Sequence, residues 1–464
     1  PFTAWSATAV TANANRKVET RTVYQLKNAS LAAHNYVNGT CSTCGATDSS
    51  YVPVNNDYYL FGMINGANYG CEEDYTNLGS FKFVNGKLSI YQMNANAGGK
   101  VTVAQGAKMT TAIICVENGD ISDATAGEMN INGEVETQLF KVFGGATANI
   151  GTTGVVSAEQ AFTSSGLLNV VDVFGNATLN VSGKLVTAQT EHTEGRHSTM
   201  KLEAGSVLNI NGGELNHGGT LTNSGIINIS GNSKVTAANV TGGTVNVAAG
   251  TVLTDTTLGG TATTSFKTGV ITFNGENKIT TNIDNSVSNF DFVVNKGATL
   301  LIPRYTLGYG RDITVNGNIA DAATFVPGTA DVPALKANST SGFSIGGSGV
   351  NTLTAKDAYL EFGNSSWKYA TGKYDWTFEN SYVSAASFGN MNPADSADAA
   401  WTVIFDDSVL AAGNIKPAAG VTYSFTNGSD AKTGSMRVDG VLNIDKTSSV
   451  TVTHQQNNVP GTAD

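Results

Sequence analysis

Clustered carboxylates are the first residues in this sequence that could do chemistry. Glycoside hydrolysis uses two carboxylates about 5 to 9.5 Å apart in a cleft. The local acidic clusters are Glu72 to Asp74, Asp120 with Asp123, and Asp406 with Asp407. Adjacent carboxylates in a turn are typical of solvated caps, and Asp406 and Asp407 align with Glu379 and Asn380 of a neighbouring repeat. The sequence therefore predicts no catalytic residue and a protein that is not an enzyme.

A second candidate for chemistry is the short stretch from Glu191 to His197, which holds two of the five histidines. Two histidines and two glutamates could bind a transition metal if a loop brought them together. Their spacing matches no zinc signature, so we interpret this stretch as an exposed polar loop. Nucleophile-elbow, phosphate-loop, dinucleotide and calcium-loop motifs are absent from the sequence. We expect neither a metal nor a cofactor.

The four cysteines, Cys41, Cys44, Cys71 and Cys115, all lie in the first quarter of the chain. A Cys-x-x-Cys pair followed by two cysteines could ligate zinc, but the second Cys-x-x-Cys of a typical zinc site is missing. In an oxidising compartment the same residues predict two disulfides that pin an N-terminal cap. Which of the three pairings forms stays open.

Aromatic residues near the C-terminal end could bind carbohydrate. Trp367, Tyr369, Tyr374 and Trp376 would stack on sugar rings if they were exposed. The competing interpretation is that these aromatic side chains fill the interior of a wide coil.

The composition shows which elements must position these residues. The chain has 464 residues, of which 14% are charged and 40% hydrophobic, with 53 glycines, 8 prolines and a net charge of −11. Helical proteins carry more Glu, Lys, Arg and Leu, and a disordered chain has fewer apolar residues. The acidic balance argues against nucleic acid as a partner, and no apolar run is long enough for a transmembrane segment. An all-β protein rich in tight turns remains.

A short pattern, apolar-x-apolar-x-Gly-x-apolar, recurs along the chain. Clear copies occupy 83–88, 129–135, 179–185, 208–215 and 227–235, and looser copies include 245–253, 271–275, 313–319 and 438–444. Alternate apolar residues point to one face of a strand, and the glycine supplies the positive φ for a turn. Stacking such units buries a continuous apolar column. We therefore predict a parallel β-helix (β-solenoid) whose inward side chains include Ile131, Leu179, Val181, Leu208, Ile210, Ile227, Ile229, Val245 and Val247.

The pattern changes toward the C-terminus. The stretches 360–367, 376–383 and 403–410 resemble one another, with Phe before a polar pair and a serine. Asn-Ser or Asp-Ser then replaces Asn-Gly at the corner, and the aromatic residues indicate wider coils. The predicted organisation is an N-terminal arm and cysteine-containing cap (1–80), a solenoid body (81–330), and a continuation with wider aromatic coils and side loops (331–464).

The Asn-Gly-rich coils at 129–135, 208–235 and 242–253 resemble passenger domains of bacterial autotransporters and related haemagglutinin-like surface adhesins. The resemblance implies a right-handed β-helix, secretion, and a role in contact at the cell surface. The partners we consider are further copies of the chain, cell-surface glycans and a host surface. The first residue is Pro1 rather than Met, which fits a product processed by removal of a signal sequence. An extracellular or cell-surface location is expected.

Residues 1–30 form a basic arm, with Arg16, Lys17, Arg21 and Lys27 against the single acid Glu19. The alternating stretch from Val18 through Arg21 and Val23 to Tyr24 suits pairing as an added strand on an acidic body. One hypothesis is that this arm links copies of the chain into filaments; the other is that it caps its own first coil.

Together these features predict a structural or adhesive surface protein that self-assembles. The alternatives are a carbohydrate-active β-helix enzyme of the polysaccharide-lyase type, a glycan-binding module, and a phage tailspike.

Overall fold

The computed structural model describes residues 6–7, 24–25, 36–37, 40–41, 58–60, 80–83, 87–95, 100–116, 127–159, 169–187, 199–284, 288, 290–302, 311–320, 350–362, 373–389, 400–417 and 419–453. Every regular element in these ranges is a β-strand, so the all-β prediction is confirmed for them. The chain divides into two compact units, Pro1–Ile227 and Asn228–Asp464. The boundaries predicted near residues 80 and 330 describe changes of sequence pattern, and they stay predictions.

Nineteen strands lie within the first unit, and β20 (Ile226–Ser230) spans its boundary. They are β1 (Ser6–Ala7), β2 (Tyr24–Gln25), β3 (Tyr36–Val37), β4 (Thr40–Cys41), β5 (Tyr58–Leu60), β6 (Ser80–Phe83), β7 (Lys87–Ala95), β8 (Lys100–Val103), β9 (Lys108–Val116), β10 (Glu128–Ile131), β11 (Glu134–Val142), β12 (Thr147–Ile150), β13 (Val155–Ala158), β14 (Asn169–Val173), β15 (Thr178–Val181), β16 (Lys184–Thr187), β17 (Thr199–Leu202), β18 (Val207–Asn211) and β19 (Glu214–Asn223).

The second unit holds the remaining strands. They are β21 (Asn232–Thr241), β22 (Thr244–Val247), β23 (Val252–Thr254), β24 (Thr257–Gly260), β25 (Thr263–Phe266), β26 (Gly269–Asn274), β27 (Glu276–Ile279), β28 (Asn282–Ile283), β29 (Phe290–Val294), β30 (Thr299–Leu301), β31 (Arg311–Val315), β32 (Asn318–Ala320), β33 (Val350–Lys356), β34 (Tyr359–Phe362), β35 (Lys373–Glu379), β36 (Tyr382–Phe388), β37 (Ala400–Asp406), β38 (Val409–Ile415), β39 (Val421–Thr426), β40 (Asp430–Met436), β41 (Val441–Ile444) and β42 (Ser449–Val452).

In the first unit β1 pairs with β2 and β3 with β4 in antiparallel two-stranded sheets, whereas the strands from β5 onward form parallel stacks in which each strand pairs with its counterpart from the next repeat. One stack runs through β8, β10, β12, β15 and β18. Long strands belong to two stacks at once: the first half of β11 pairs with β13 and its second half pairs with β14. Apolar residues therefore align from strand to strand, as Ile131, Ile150, Val181 and Ile210 do.

The second unit is built in the same way. The stack β29, β31, β33, β35, β37, β39 and β41 is parallel throughout, and so is the stack β30, β32, β34, β36, β38, β40 and β42. Aromatic rings fill the interior, where Phe378, Phe405 and Phe425 stack face to face with centroids 4.8 and 4.9 Å apart. Aligned rings add to the stabilisation from burial.

The predicted inward positions are confirmed. All nine residues are at most 2% exposed, namely Ile131, Leu179, Val181, Leu208, Ile210, Ile227, Ile229, Val245 and Val247. Strict alternation of apolar and polar residues was sufficient to assign them, because a strand places successive side chains on opposite faces.

The predicted alignment of the C-terminal repeats is partly wrong. Phe378 pairs with Phe405, and Glu379 pairs with Asp406, as the sequence indicated. However, Trp376 pairs with Leu353, and Leu360 pairs with Val383. The copy before 376–383 is therefore 353–360 rather than 360–367, with Asp357 at its corner. This copy has Ala-Lys in place of Phe-Glu, so it lacks the phenylalanine by which the other copies were recognised in the sequence.

The role of the repeated glycine also differs from one copy to the next. Gly231 has φ of 68°, as predicted for a turn. Gly183 does not have a positive φ; a Cβ there would instead lie 2.2 Å from the carbonyl oxygens of Gly151 and Gly154. Glycine is needed at this corner because two backbone segments approach closely.

Candidate functional site

The most regular surface feature of the first unit is a ladder of asparagines. Within it, Asn149 donates to the side-chain oxygen of Asn130, Asn180 to that of Asn149, and Asn209 to that of Asn180, at 2.7 to 2.9 Å. These residues occupy the half-buried positions between the inward residues of β10, β12, β15 and β18. The asparagine of the repeat motif therefore ties one repeat to the next from outside.

Charged groups continue this surface. Asn130 donates to Glu128, which also pairs with Lys100 at 3.0 Å, and both contacts lower the pKa of Glu128. On β9, Lys108 contacts Glu134 and Glu136, which raise its pKa. Exposed pairs of this kind contribute about 0 to 1 kcal/mol each, so they give the surface its polar character more than its stability.

The acidic pair Asp406 and Asp407 forms a corner of the second unit. Asp407 has φ of 48°, and Asn380 has φ of 45° at the equivalent corner. Asp406 accepts hydrogen bonds from the Thr426 hydroxyl at 2.9 Å and from the side chain of Asn427. The Asp406 carboxylate thus holds neighbouring corners together, in agreement with the structural interpretation. Asp120, Asp123 and Glu72 to Asp74 lie outside the described residues.

A serine ladder lies just inside the same corner. The Ser381 amide donates to the Ser408 hydroxyl and the Ser408 amide to the Ser429 hydroxyl, both at 2.9 Å. The three serines are at most 5% exposed. Each hydroxyl satisfies a backbone amide that the strand ladder leaves unpaired, which explains why serine follows the acidic or amide residue in the motif.

The hypothesis that Trp376 stacks on sugars is wrong. Its side chain is 1% exposed and packs edge-on against Phe388. Trp376 points into the interior from β35, and the wide coil of the competing interpretation stays a prediction. Trp367 and Tyr369 lie outside the described residues, and only the backbone of Tyr374 is described.

Of the arm residues expected to pair as an added strand, the structure describes only Tyr24. Tyr24 lies in β2, which pairs antiparallel with β1, so that Tyr24 is opposite Ala7. Arg16, Lys17, Val18, Arg21 and Val23 lie outside the described residues. Their role in assembly stays a prediction.

Among the cysteines, Cys115 lies in β9, is fully buried and is disulfide-bonded. A disulfide sulfur cannot act as a thiolate ligand for zinc. The backbone of Cys41 belongs to β4, while Cys44 and Cys71 lie outside the described residues.

Cys115 packs with Ile113 and Leu139 in a buried cluster that sequence analysis missed. We call the outward positions Ile113, Cys115, Leu139, Val170 and Asp172 the outer patch. These residues alternate with the inward residues of β9, β11 and β14, so they face outward, yet each is at most 7% exposed. The signal in the sequence is the loss of alternation, as in Ile113-Ile114-Cys115-Val116. Strands buried on both faces read as continuous apolar runs.

Charged groups at the edge of the outer patch are perturbed by burial. Lys141 is paired with Asp172 across β11 and β14, and Asp172 with Lys201 across β14 and β17. Burial raises the pKa of Asp172 and lowers that of Lys141. One oxygen of Asp172 accepts a hydrogen bond from Asn169 at 3.1 Å, whereas the other is buried without a partner among the described atoms.

The predicted polar loop with Glu191, His192, Glu194 and His197 lies outside the described residues. Within the described ranges, no three His, Cys, Asp or Glu side chains lie close enough to hold a metal ion. Those ranges also contain no helix with the length and hydrophobicity needed to cross a membrane. No protein-family model matches this sequence, and no curated protein is detectably similar to it.

Proposed function

We propose that this chain is a non-enzymatic structural or adhesive protein of the cell surface or extracellular space, built as a right-handed parallel β-helix. The observation that supports the proposal is the in-register parallel stacking within each unit. The registers that align the inward apolar residues also align the outward asparagines from Asn130 to Asn209. Proteins built from such stacks bind their partners through the extended surface that the repeats create. The autotransporter-passenger and haemagglutinin-like adhesin resemblance supports the same class.

Self-assembly through the basic arm is part of this proposal. In β41 and β42, Ile444 and Val452 pair with buried Phe425 and Thr433, yet they are 43% and 46% exposed themselves. Exposed apolar side chains along a strand edge mark a surface that can accept another strand. An arm that alternates from Val18 to Tyr24 has the pattern of such a strand.

The test is deletion of residues 1–26, with filaments followed by electron microscopy. Soluble folded monomers would support a linking role for the arm, whereas persistent filaments would rule it out. A full-length Val23→Pro variant removes one backbone donor from the arm, and Val23→Ala is its matched control. If the arm adds as a strand, the proline variant should assemble poorly and the alanine variant should assemble normally.

The carbohydrate-active or glycan-binding alternative is tested separately. A glycan array and an assay for reducing sugars released from common polysaccharides suffice. Turnover above background would overturn the non-enzymatic assignment.

A further inference from the structure

A carboxyl group lies between two lysines on the outer side of the first unit. Lys141, Asp172 and Lys201 pair in this order across β11, β14 and β17, and all three occupy outward positions. Register partners on neighbouring parallel strands lie about 4.8 Å apart, a distance that the flexible four-carbon stem of lysine can span. The pairing therefore brings two amines within reach of one carboxyl group.

The surroundings of Asp172 differ from those of an ordinary surface carboxylate. Asp172 is 7% exposed, and the outward residues Leu139 and Val170 of the same two strands are at most 2% exposed. Its Oδ2 atom accepts a hydrogen bond from Asn169 at 3.1 Å, whereas Oδ1 is buried without a hydrogen-bond partner among the described atoms. An unpaired carboxylate in such a position is costly. A reaction that removes this oxygen would remove that cost.

We propose that Lys141 and Asp172 form an isopeptide bond, which is a covalent link between the lysine amine and the aspartate carboxyl group. The Nζ atom of Lys141 attacks the side-chain carboxyl carbon of Asp172, a C–N bond forms, and the bond from that carbon to Oδ1 breaks. Oδ1 leaves as water with one proton from the carboxyl group and one from the amine. Atoms and charges balance without an oxidant, a reductant or an activating group. The inference is independent of whether the protein is adhesive or forms filaments.

Burial favours the reactive form of each group. It raises the pKa of Asp172 and lowers that of Lys141, which favours a neutral carboxyl group and a neutral amine. A neutral amine has an electron pair for the attack, and a neutral carboxyl group can lose its hydroxyl as water. The Asn169 amide donates to Oδ2, so it can stabilise the negative charge that develops on this oxygen. Strand pairing holds the two groups side by side and raises their effective concentration.

Lys201 provides an internal comparison, because it is the register partner of Asp172 on the other side. Its amine lies 2.7 Å from a carboxylate oxygen of Glu203, which raises the pKa of Lys201, and its side chain is 39% exposed. A protonated amine has no electron pair with which to attack. Of the two lysines beside Asp172, only Lys141 therefore has an environment that suits the reaction.

The bond would fix the point at which β11 changes its partner. The first half of β11 pairs with β13 and the second half, which contains Lys141, pairs with β14. A link from residue 141 to residue 172 closes a loop that contains β12 and β13. Such a closure restricts the unfolded chain and so stabilises the folded one.

The intact mass of the full-length protein, measured after reduction and denaturation, provides the test. The native sequence should be lighter than its calculated mass by one water. Lys141→Arg should restore the full mass, because a guanidinium stays protonated and does not attack. The matched control is Lys201→Arg, which keeps the same chemistry on the other side of Asp172 and should retain the loss of one water.

Proteolytic digestion and tandem mass spectrometry then locate the link. One branched peptide should join Lys141 to Asp172 in the native sequence, and this observation does not depend on whether a variant folds. The full calculated mass in the native protein would overturn the proposal. So would a loss of water that persists in Lys141→Arg, or one that disappears in a Lys201→Arg variant shown to be folded by circular dichroism, because the link would then involve another lysine or another site.

Discussion

Replacing Ser408 by alanine tests whether the serine ladder stabilises the corners of the second unit. The Ser408 hydroxyl accepts the Ser381 amide at 2.9 Å and lies within hydrogen-bonding distance of the carbonyl oxygens of Phe378 and Asp406. Ser408 is 1% exposed, so water does not replace the lost acceptor. A buried donor without a partner costs about 1–3 kcal/mol. Alanine adds no compensating contact, because it only removes the oxygen.

Amide hydrogen exchange measured by mass spectrometry over β36 and β38 is the assay. A loss of about 1–3 kcal/mol accelerates exchange about 5- to 150-fold where exchange follows local opening. Ser429→Ala should have the same effect one repeat later, since the Ser429 hydroxyl accepts the Ser408 amide.

The matched control is Ser424→Ala on β39, where the side chain faces outward and is half-buried. Outward substitutions of this kind usually change stability by less than about 0.5 kcal/mol. If Ser408→Ala exchanged no faster than this control, the hydroxyl would not be the amide's necessary partner and the explanation of the Asp-Ser corner would fail.

Three further predictions concern other parts of the chain. Ile229→Asp should unfold the neighbouring repeats, because an unpaired buried carboxylate costs several kcal/mol; Asn228→Asp puts the same charge on the outer face, and limited proteolysis should distinguish the two. Burial lowers the pKa of His217 in the folded chain, so the unfolded chain binds more protons and stability should fall as pH drops below about 6.5. His217→Gln should flatten that dependence in urea titrations between pH 7.5 and 5.5, and an unchanged slope would show that other groups cause it. Asn180→Ala removes two ladder hydrogen bonds and should cost about 1–2 kcal/mol in urea unfolding, whereas Thr178→Ala on the same face should cost much less; equal losses would refute a stabilising ladder.

Local sequence was sufficient for the inward columns and for part of the corner chemistry. Ile229 and Val245 could be assigned to the interior because alternation along a strand depends only on the residues of that strand. The alignment of Glu379 with Asp406 was likewise visible, since both copies keep Phe before the corner. Composition disfavoured helices, and the described residues contain none, for a similar reason: propensities and turn residues act over a few neighbours.

Only the tertiary structure decided what lies against the outer side of each strand. Gly183 is required by the backbone of the preceding repeat, and the copy at 353–360 is defined by pairing although its residues diverge. The outer patch shows the same dependence, because Ile113 and Asp172 occupy outward positions of their strands and are still at most 7% exposed. Inward positions follow from a period of two within a single strand, whereas burial of the outer face depends on which distant segment covers it, and no local pattern encodes that choice.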